Sequence, residues 1–182
     1  MKALTNKFLK PVMVIFLLLL TSSLIAQNKK QRRIIEDAAE AKTAFIEKNA
    51  NLAELFKNSK GYAIFPNVGK GAYVVGGAAG NGAVYENGKV VGMAKLKQLD
   101  VGLQIGGQGF SQVILFQTES ELNRFKKGNF ELAATASAVI LKEGVAESIE
   151  FRDGIAVVTM PKGGAMIEIS VGGQKFNYKK LK

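Results

Sequence analysis

The sequence predicts an α+β fold: N-terminal helices followed by a strongly curved, mostly antiparallel, barrel-like sheet with one short inserted helix. Three observations predict it. Before Gly61 the apolar residues recur at helical spacing, with Ile34, Ala38, Ala41 and Phe45 on one stripe. After Gly71 short apolar runs alternate with glycine and turn residues, the pattern of strands joined by tight turns. Glycines also sit inside the apolar runs, where side chains are lost only for a bulge, a bend or a close approach. Helices first and strands after is the order of an α+β domain rather than of alternating parallel units.

The first 26 of the 182 residues stand apart. Lys2, Lys7 and Lys10 give a basic start, Val12 to Leu20 is apolar, and Thr21 to Ala26 ends on a small residue, the pattern of a secretory signal peptide. The apolar run is short for a membrane span, which needs about 20 residues, and the alternative is an uncleaved anchor. Residues 27–182 then form a single domain of ordinary size, with residues 27–60 helical and 61–178 a β-rich core. That part keeps 22 basic and 15 acidic residues, a net charge of +7. An exported cationic protein suggests an anionic partner, phospholipid head groups or an acidic polysaccharide; the alternative is charge serving solubility alone. Nucleic acid is not expected. The chain has no Cys and no His. Disulfides, thiol nucleophiles, Ser–His triads and the commonest zinc ligands are therefore excluded, and the fold must rest on its core.

In chain order, residues 29–48 read as an amphipathic helix, with Ile35 and Ile46 flanking the stripe. Asn49-Ala50-Asn51 interrupts it. Asn51 with Glu54 has the spacing of a capping box for a second short helix carrying Leu52, Leu55 and Phe56, which Gly61 would stop. Ala63-Ile64-Phe65 is a strand that Pro66, lacking an N–H, should close or hold at an edge; Asn67 and Gly69 read as turn residues. Tyr73 to Val75 begins a second run, interrupted by Gly76-Gly77. Asn87-Gly88 between two apolar runs is the strongest hairpin signal. Val90 to Leu96 is a strand, and Asp100 to Phe116 is two strands or one bent strand around Gly106-Gly107-Gln108-Gly109. Its apolar end, Val113 to Phe116, should be buried on both faces. Thr118 caps a helix with Glu121 at the reciprocal position, Leu122 and Phe125 inward and Gly128 at its end. Residues 130–141 are alanine-rich and fit a helix or a strand. Strands follow at 149–151, 155–160 and 166–171, with turns at 152–154 and 161–164, and a polar tail from Gln174 carries one last strand.

The residues Phe65-Pro66-Asn67-Val68-Gly69-Lys70-Gly71, then Val75-Gly76-Gly77-Ala78 and Gly80-Asn81-Gly82, closely resemble the signature of the SYLF domain family, and the likeness runs from about Ala38 to about Phe176. The resemblance implies lipid binding, and it favours strand over helix for residues 130–141. Eukaryotic members bind phosphoinositides, in some cases actin filaments, and bacterial relatives are exported. It attributes lipid binding to an amphipathic N-terminal segment and nearby basic residues, and it marks Phe65, Pro66, Asn67, Gly69, Gly71, Gly76 and Gly77 as structural. Actin binding is not carried over.

Lys29, Lys30, Arg32 and Arg33 open the first helix beside Ile34 and Ile35. Basic charge next to an apolar stripe suits an anionic membrane surface, each such charge contributing about 1 kcal/mol; the alternative is a stripe packed on the sheet with solvated charges. Lys70, beside glycines, could meet a lipid phosphate as a point charge. Nucleotide loops are not formed: Val74 stands where a dinucleotide fingerprint needs glycine, and Val90 where a P-loop needs Ser or Thr. Among Asp100, Glu119, Glu121, Glu143, Glu147, Asp153 and Glu168 no pair stands out beyond caps and turns, so no enzyme, no metal and no cofactor are expected. The expectation is an exported, periplasmic or envelope-associated, non-enzymatic protein that binds anionic membrane lipids, and that loses binding but keeps its sheet when residues 27–48 are deleted. The rival readings are a soluble envelope module holding a small apolar ligand or a protein partner, and a small outer-membrane β-barrel.

Overall fold

The computed structural model describes residues 28–71, 77–99, 109–133, 136, 138–141, 148–162 and 171–181. By internal contacts the chain divides into Met1–Arg33 and Ile34–Lys182. Of the first unit, residues 28–33 are described, and they are helical. The second holds one mixed, strongly curled sheet of eight strands, a half-barrel whose order is β5-β8-β3-β2-β1-β4-β7-β6. The predicted α+β architecture is the observed one.

Helix α1 spans 28–48 and helix α2 Asn51–Asn58. The stripe Ala38, Ala41, Phe45 is fully or nearly buried, together with Leu52 and Phe56 of α2. The capping box is not formed: Asn51 is already helical, and Asn49 Oδ1 accepts from its N–H at 3.1 Å. Nor does Gly61 stop α2, which ends at Asn58 with Ser59 extended. Gly61 instead opens β1 (Gly61–Gly71), where a Cβ would stand 2.6 Å from the Tyr85 carbonyl oxygen.

Pro66, Asn67 and Gly69 are also not at a strand end. β1 runs through them as a central strand, between β2 (Gly77–Glu86) and β4 (Gly109–Phe116). A central strand tolerates the missing N–H because the register shifts there, between Ile64 and Asn67 toward β2 and between Phe65 and Val68 toward β4. The bulge also reverses the alternation. Ala63 and Phe65 share the face taken after it by Val68, so Asn67 turns outward. Ser111 Oγ donates to the freed region at the Pro66 carbonyl, 2.8 Å, fully buried.

β3 (Lys89–Leu99) follows the Asn87-Gly88 hairpin, whose residues take φ of 50° and 75° as an Asn-Gly turn requires. Close strand packing explains Gly82, where a Cβ would collide with the Ile64 carbonyl oxygen. Helix α3 (Glu119–Lys126) is capped by Thr118 as predicted, its Oγ1 accepting from the Glu121 N–H at 3.3 Å, while the Glu121 carboxylate pairs with Arg124 rather than reaching back to the cap. Among the described residues of 130–141, strand is found at β5 (Phe130–Glu131) and β6 (Val139–Ile140). Residues 149–151 form no strand; Arg152 makes an isolated bridge to Ile155 across the Asp153-Gly154 turn. β7 (Ile155–Lys162) continues through Pro161 and Lys162, which were expected in a turn, and β8 (Lys175–Lys180) is the last strand. The expectations for 1–27, Tyr73–Gly76, 100–108 and 163–170 lie outside the described residues.

Both faces of the sheet are apolar at its centre. Tyr62, Ile64, Tyr85, Val113, Leu115 and Val158 pack with α1 and α2. The other face carries Phe65, Val84, Leu96, Phe110, Ile114, Phe116 and Phe176 with Leu122 and Phe125 of α3. Phe65 of β1 and Phe176 of β8 meet at 5.5 Å between ring centroids although two strands separate them in the sheet, so this second face is the inside of the curl. A polar layer crosses the same interior. Gln112 and Gln174 exchange amide hydrogen bonds at 2.7 and 3.1 Å, and Gln174 Nε2 also donates to Gln98 Oε1 at 2.9 Å, all three fully or nearly buried.

Candidate functional site

With Ala38, Ala41 and Phe45 committed to the core, the apolar stripe of α1 is a packing surface. Ile35 is half-buried against that core, and Ile34 is half-buried. Lys42, halfway along the helix, adds a polar tie: its Nζ donates to Tyr62 Oη at 3.0 Å and sits 4.7 Å from the centre of the Phe56 ring. Deleting residues 27–48 would therefore remove core, contrary to the expectation that the sheet survives it. Lys29, Lys30, Arg32 and Arg33 are exposed, and none makes an ion pair among the described residues.

The signature residues have structural positions. Phe65 lies fully buried inside the curl. Asn67 links two elements: its Nδ2 donates to Asp37 Oδ2 of α1 at 3.3 Å, and its Oδ1 accepts from Lys162 Nζ of β7. Gly69, Gly71 and Gly77 lie in the ladder, Gly69 opposite Ala79 and Gly109, and Gly71 opposite Gly77. Lys70 pairs with Ala78 in register; its side chain, like Gly76, lies outside the described residues.

A second cationic surface was missed from the sequence. β3 and β8 pair antiparallel, placing Lys97 directly opposite Lys175, Lys95 opposite Asn177, and Met93 opposite Lys179. Ala94, Leu96 and Phe176 point into the core, so the alternation sends Lys95, Lys97, Lys175 and Lys179 to the exposed face. Lys175 is partnered only loosely, by Glu131 at 3.5 Å. The signal was present as Lys-Leu-Lys and Lys-Phe-Asn-Tyr-Lys. What sequence could not supply was that strands some eighty positions apart are neighbours.

The third feature is a cleft of about 370 Å³. It is bordered by β5 through Phe130 and β6 through Val139, so it occupies the seam between the two end strands of the half-barrel as described. Its floor is Ile155 and Val157, and its rim carries Arg124, Arg152, Glu131, Glu150 and Asp153. Arg124 lies 2.6 Å from the Glu121 carboxylate and 5.0 Å over the Phe130 ring. Among the described residues no cluster of acidic side chains could hold a metal ion.

No family model matches the chain. Beta cell expansion factor A from Aeromonas veronii is similar, with 27% identity over 124 residues, 67% of this chain and 47% of that protein. The chain thus spans about half the length of the curated relative it matches.

Proposed function

We propose that this chain is an exported, non-enzymatic SYLF-domain protein that associates with anionic phospholipid surfaces by charge, without inserting its helix stripe. The observation that carries the reading is the state of the helix that opens the fold. Four cations stand exposed within five residues, while the apolar stripe that follows them is consumed by the sheet. The lysine face of β3 and β8 supports the same reading as a separate flat cationic surface. Each basic residue near an anionic membrane contributes about 1 kcal/mol, falling off over roughly 8 Å at physiological salt. Binding of this kind is reversible and depends on ionic strength. A membrane-spanning barrel fits less well, because among the described residues the sheet ends at β5 and β6, which do not pair with each other, and helices cover part of one face.

The test is co-sedimentation of the chain from Gln27 onward with anionic and with zwitterionic vesicles, each at low and high salt. Binding to anionic vesicles that weakens with salt, and that falls when Lys29, Lys30, Arg32 and Arg33 are changed to Glu, is the expected outcome. Equal recovery on both vesicle types, or none on either, rejects the proposal.

A further inference from the structure

The seam has the dimensions and chemistry of a binding site for one molecule. Its edge strands are short: β5 pairs with β8 and β6 with β7 through two residues each. Phe130 and Leu132 line one side and Val139 the other, over Ile155 and Val157, which also belong to the core inside the curl. An apolar ligand entering here would continue an existing core rather than rest on a surface patch. Taking about the volume of a water, ~30 Å³, for each group, the cleft of about 370 Å³ accepts roughly a dozen methylene-sized units.

The rim decides the head group. Arg124 is occupied by Glu121, and Glu131 is met by Lys175 at 3.5 Å. Glu150 and Asp153 are exposed to water. Arg152 makes no ion pair among the described residues, and its backbone is fixed by reciprocal hydrogen bonds with Ile155 of 2.9 and 3.0 Å, next to the apolar floor. A guanidinium without an ion pair among the described residues, at the mouth of a cleft whose floor is apolar, matches a carboxylate, which it can hold through two parallel N–H donors.

We infer that the seam between β5 and β6 binds a free medium-chain fatty acid, its carboxylate on Arg152 and its chain over Ile155 and Val157. Because Glu131, Glu150 and Asp153 outnumber Arg124 and Arg152 on the rim, acyl burial supplies most of the affinity and Arg152 the choice of head group. The ligand is taken from solution, so this site can fail while the vesicle reading holds, and the reverse.

The probe is dodecanoate, titrated below its micellar concentration into the purified protein without vesicles, with calorimetry as readout. Saturable binding at one site per chain is expected. Burial of a methylene corresponds to about fourfold in affinity, so decanoate should bind on the order of tenfold more weakly. Arg152→Gln should weaken dodecanoate about tenfold and leave dodecanol unchanged, and Ala138→Trp, which fills the cleft, should remove both. Reversal of the four cations at 29, 30, 32 and 33 should leave dodecanoate binding intact. The inference is overturned if binding does not saturate, or if Arg152→Gln binds dodecanoate as the parent protein does. Should Ala138→Trp unfold, as circular dichroism would reveal, the exposed Arg152 variant decides alone.

Discussion

The β1–β4 pair and the β3–β8 pair belong to one sheet and are built on different terms. In β1 and β4 both faces are spent. Tyr62, Ile64, Val113 and Leu115 lie under the helices, and Ala63, Phe65, Ile114 and Phe116 face the inside of the curl. In β3 and β8 only one face is buried, through Ala94, Leu96 and Phe176, while the other presents lysines, two of them directly opposed at Lys97 and Lys175. Like charges opposite one another disfavour pairing by a few tenths of a kcal/mol. The difference teaches how the two regions are spent: the centre of the sheet is used up by the fold, and the side chains left exposed sit on the lysine face and in the seam.

The sharpest break between the two pairs should come from truncating the centre. Phe65 is fully buried and meets Phe176 across the interior. Phe65→Ala should cost about 3–5 kcal/mol, because a cavity is left among residues that cannot collapse into it. Lys95→Ala, on the exposed face, should change stability by less than about 0.5 kcal/mol. Urea unfolding of both variants measures the ratio, and similar losses would mean that the centre is not the stabilising region.

The helix-covered face adds a pH signature that the lysine face lacks. Tyr85 is buried and stacked on Tyr62, ring centroids 4.8 Å apart, and its phenol is pushed up to about 12, first by burial and then by Tyr62. In the unfolded chain it ionises near its usual 10. A raised pKa gives stability that is complete below pH 10 and lost as the pH climbs toward 12, about 2–3 kcal/mol in all. Unfolding measured at intervals from pH 9 to 12 should show this decline, and Tyr85→Phe should lack that part of it. An unchanged slope in the variant would locate the decline elsewhere.

The glutamine layer tests what holds the two pairs in one curl. Gln112 lies on β4, Gln98 on β3, and Gln174 just before β8, so their amide bonds cross the interior rather than follow the ladder. Gln112→Leu leaves Gln174 with a buried acceptor lacking its donor and should cost about 1–3 kcal/mol. Replacing both Gln112 and Gln174 by Leu should cost less than the sum of the single changes, since the orphaned partner goes too. Strict additivity by thermal unfolding would show that the bond across the interior contributes nothing specific.

These interior contacts also mark how far the sequence could be read. Helical periodicity placed α1, Thr118 placed the start of α3, and Asn87-Gly88 placed a hairpin, because each signal is local and complete within a few residues. Pro66 and Asn67 misled because proline was judged on its missing N–H alone, whereas a register shift on both sides of β1 lets the strand pass through. Residues 149–151 have strand composition but no pairing neighbour among the described residues, and pairing, not composition, makes a strand. The glutamine layer left no local signal, since it forms only when the curl brings β4 and the approach to β8 together. Of the candidate sites, the cations at 29–33 were legible because they are consecutive. The lysine face and the seam were not, since each depends on which distant strands end up adjacent.

The smallest effect separates the two roles of the lysine face. Lys97→Glu exchanges a like-charged cross-strand pair with Lys175 for an opposite-charged one and should raise stability by about 0.2–1 kcal/mol. At an exposed position the gain should shrink as salt is added. The same change removes one cation and adds one anion on the surface proposed to meet anionic vesicles, so vesicle binding at low salt should fall. Stability and binding then move in opposite directions, which a mutation acting only through the fold cannot produce. If Lys97→Glu stabilises the protein and leaves vesicle binding unchanged, the cations at 29–33 carry the association alone and the lysines of β3 and β8 serve solubility; if binding falls while the fold gains, the sheet margin is part of the membrane-facing surface.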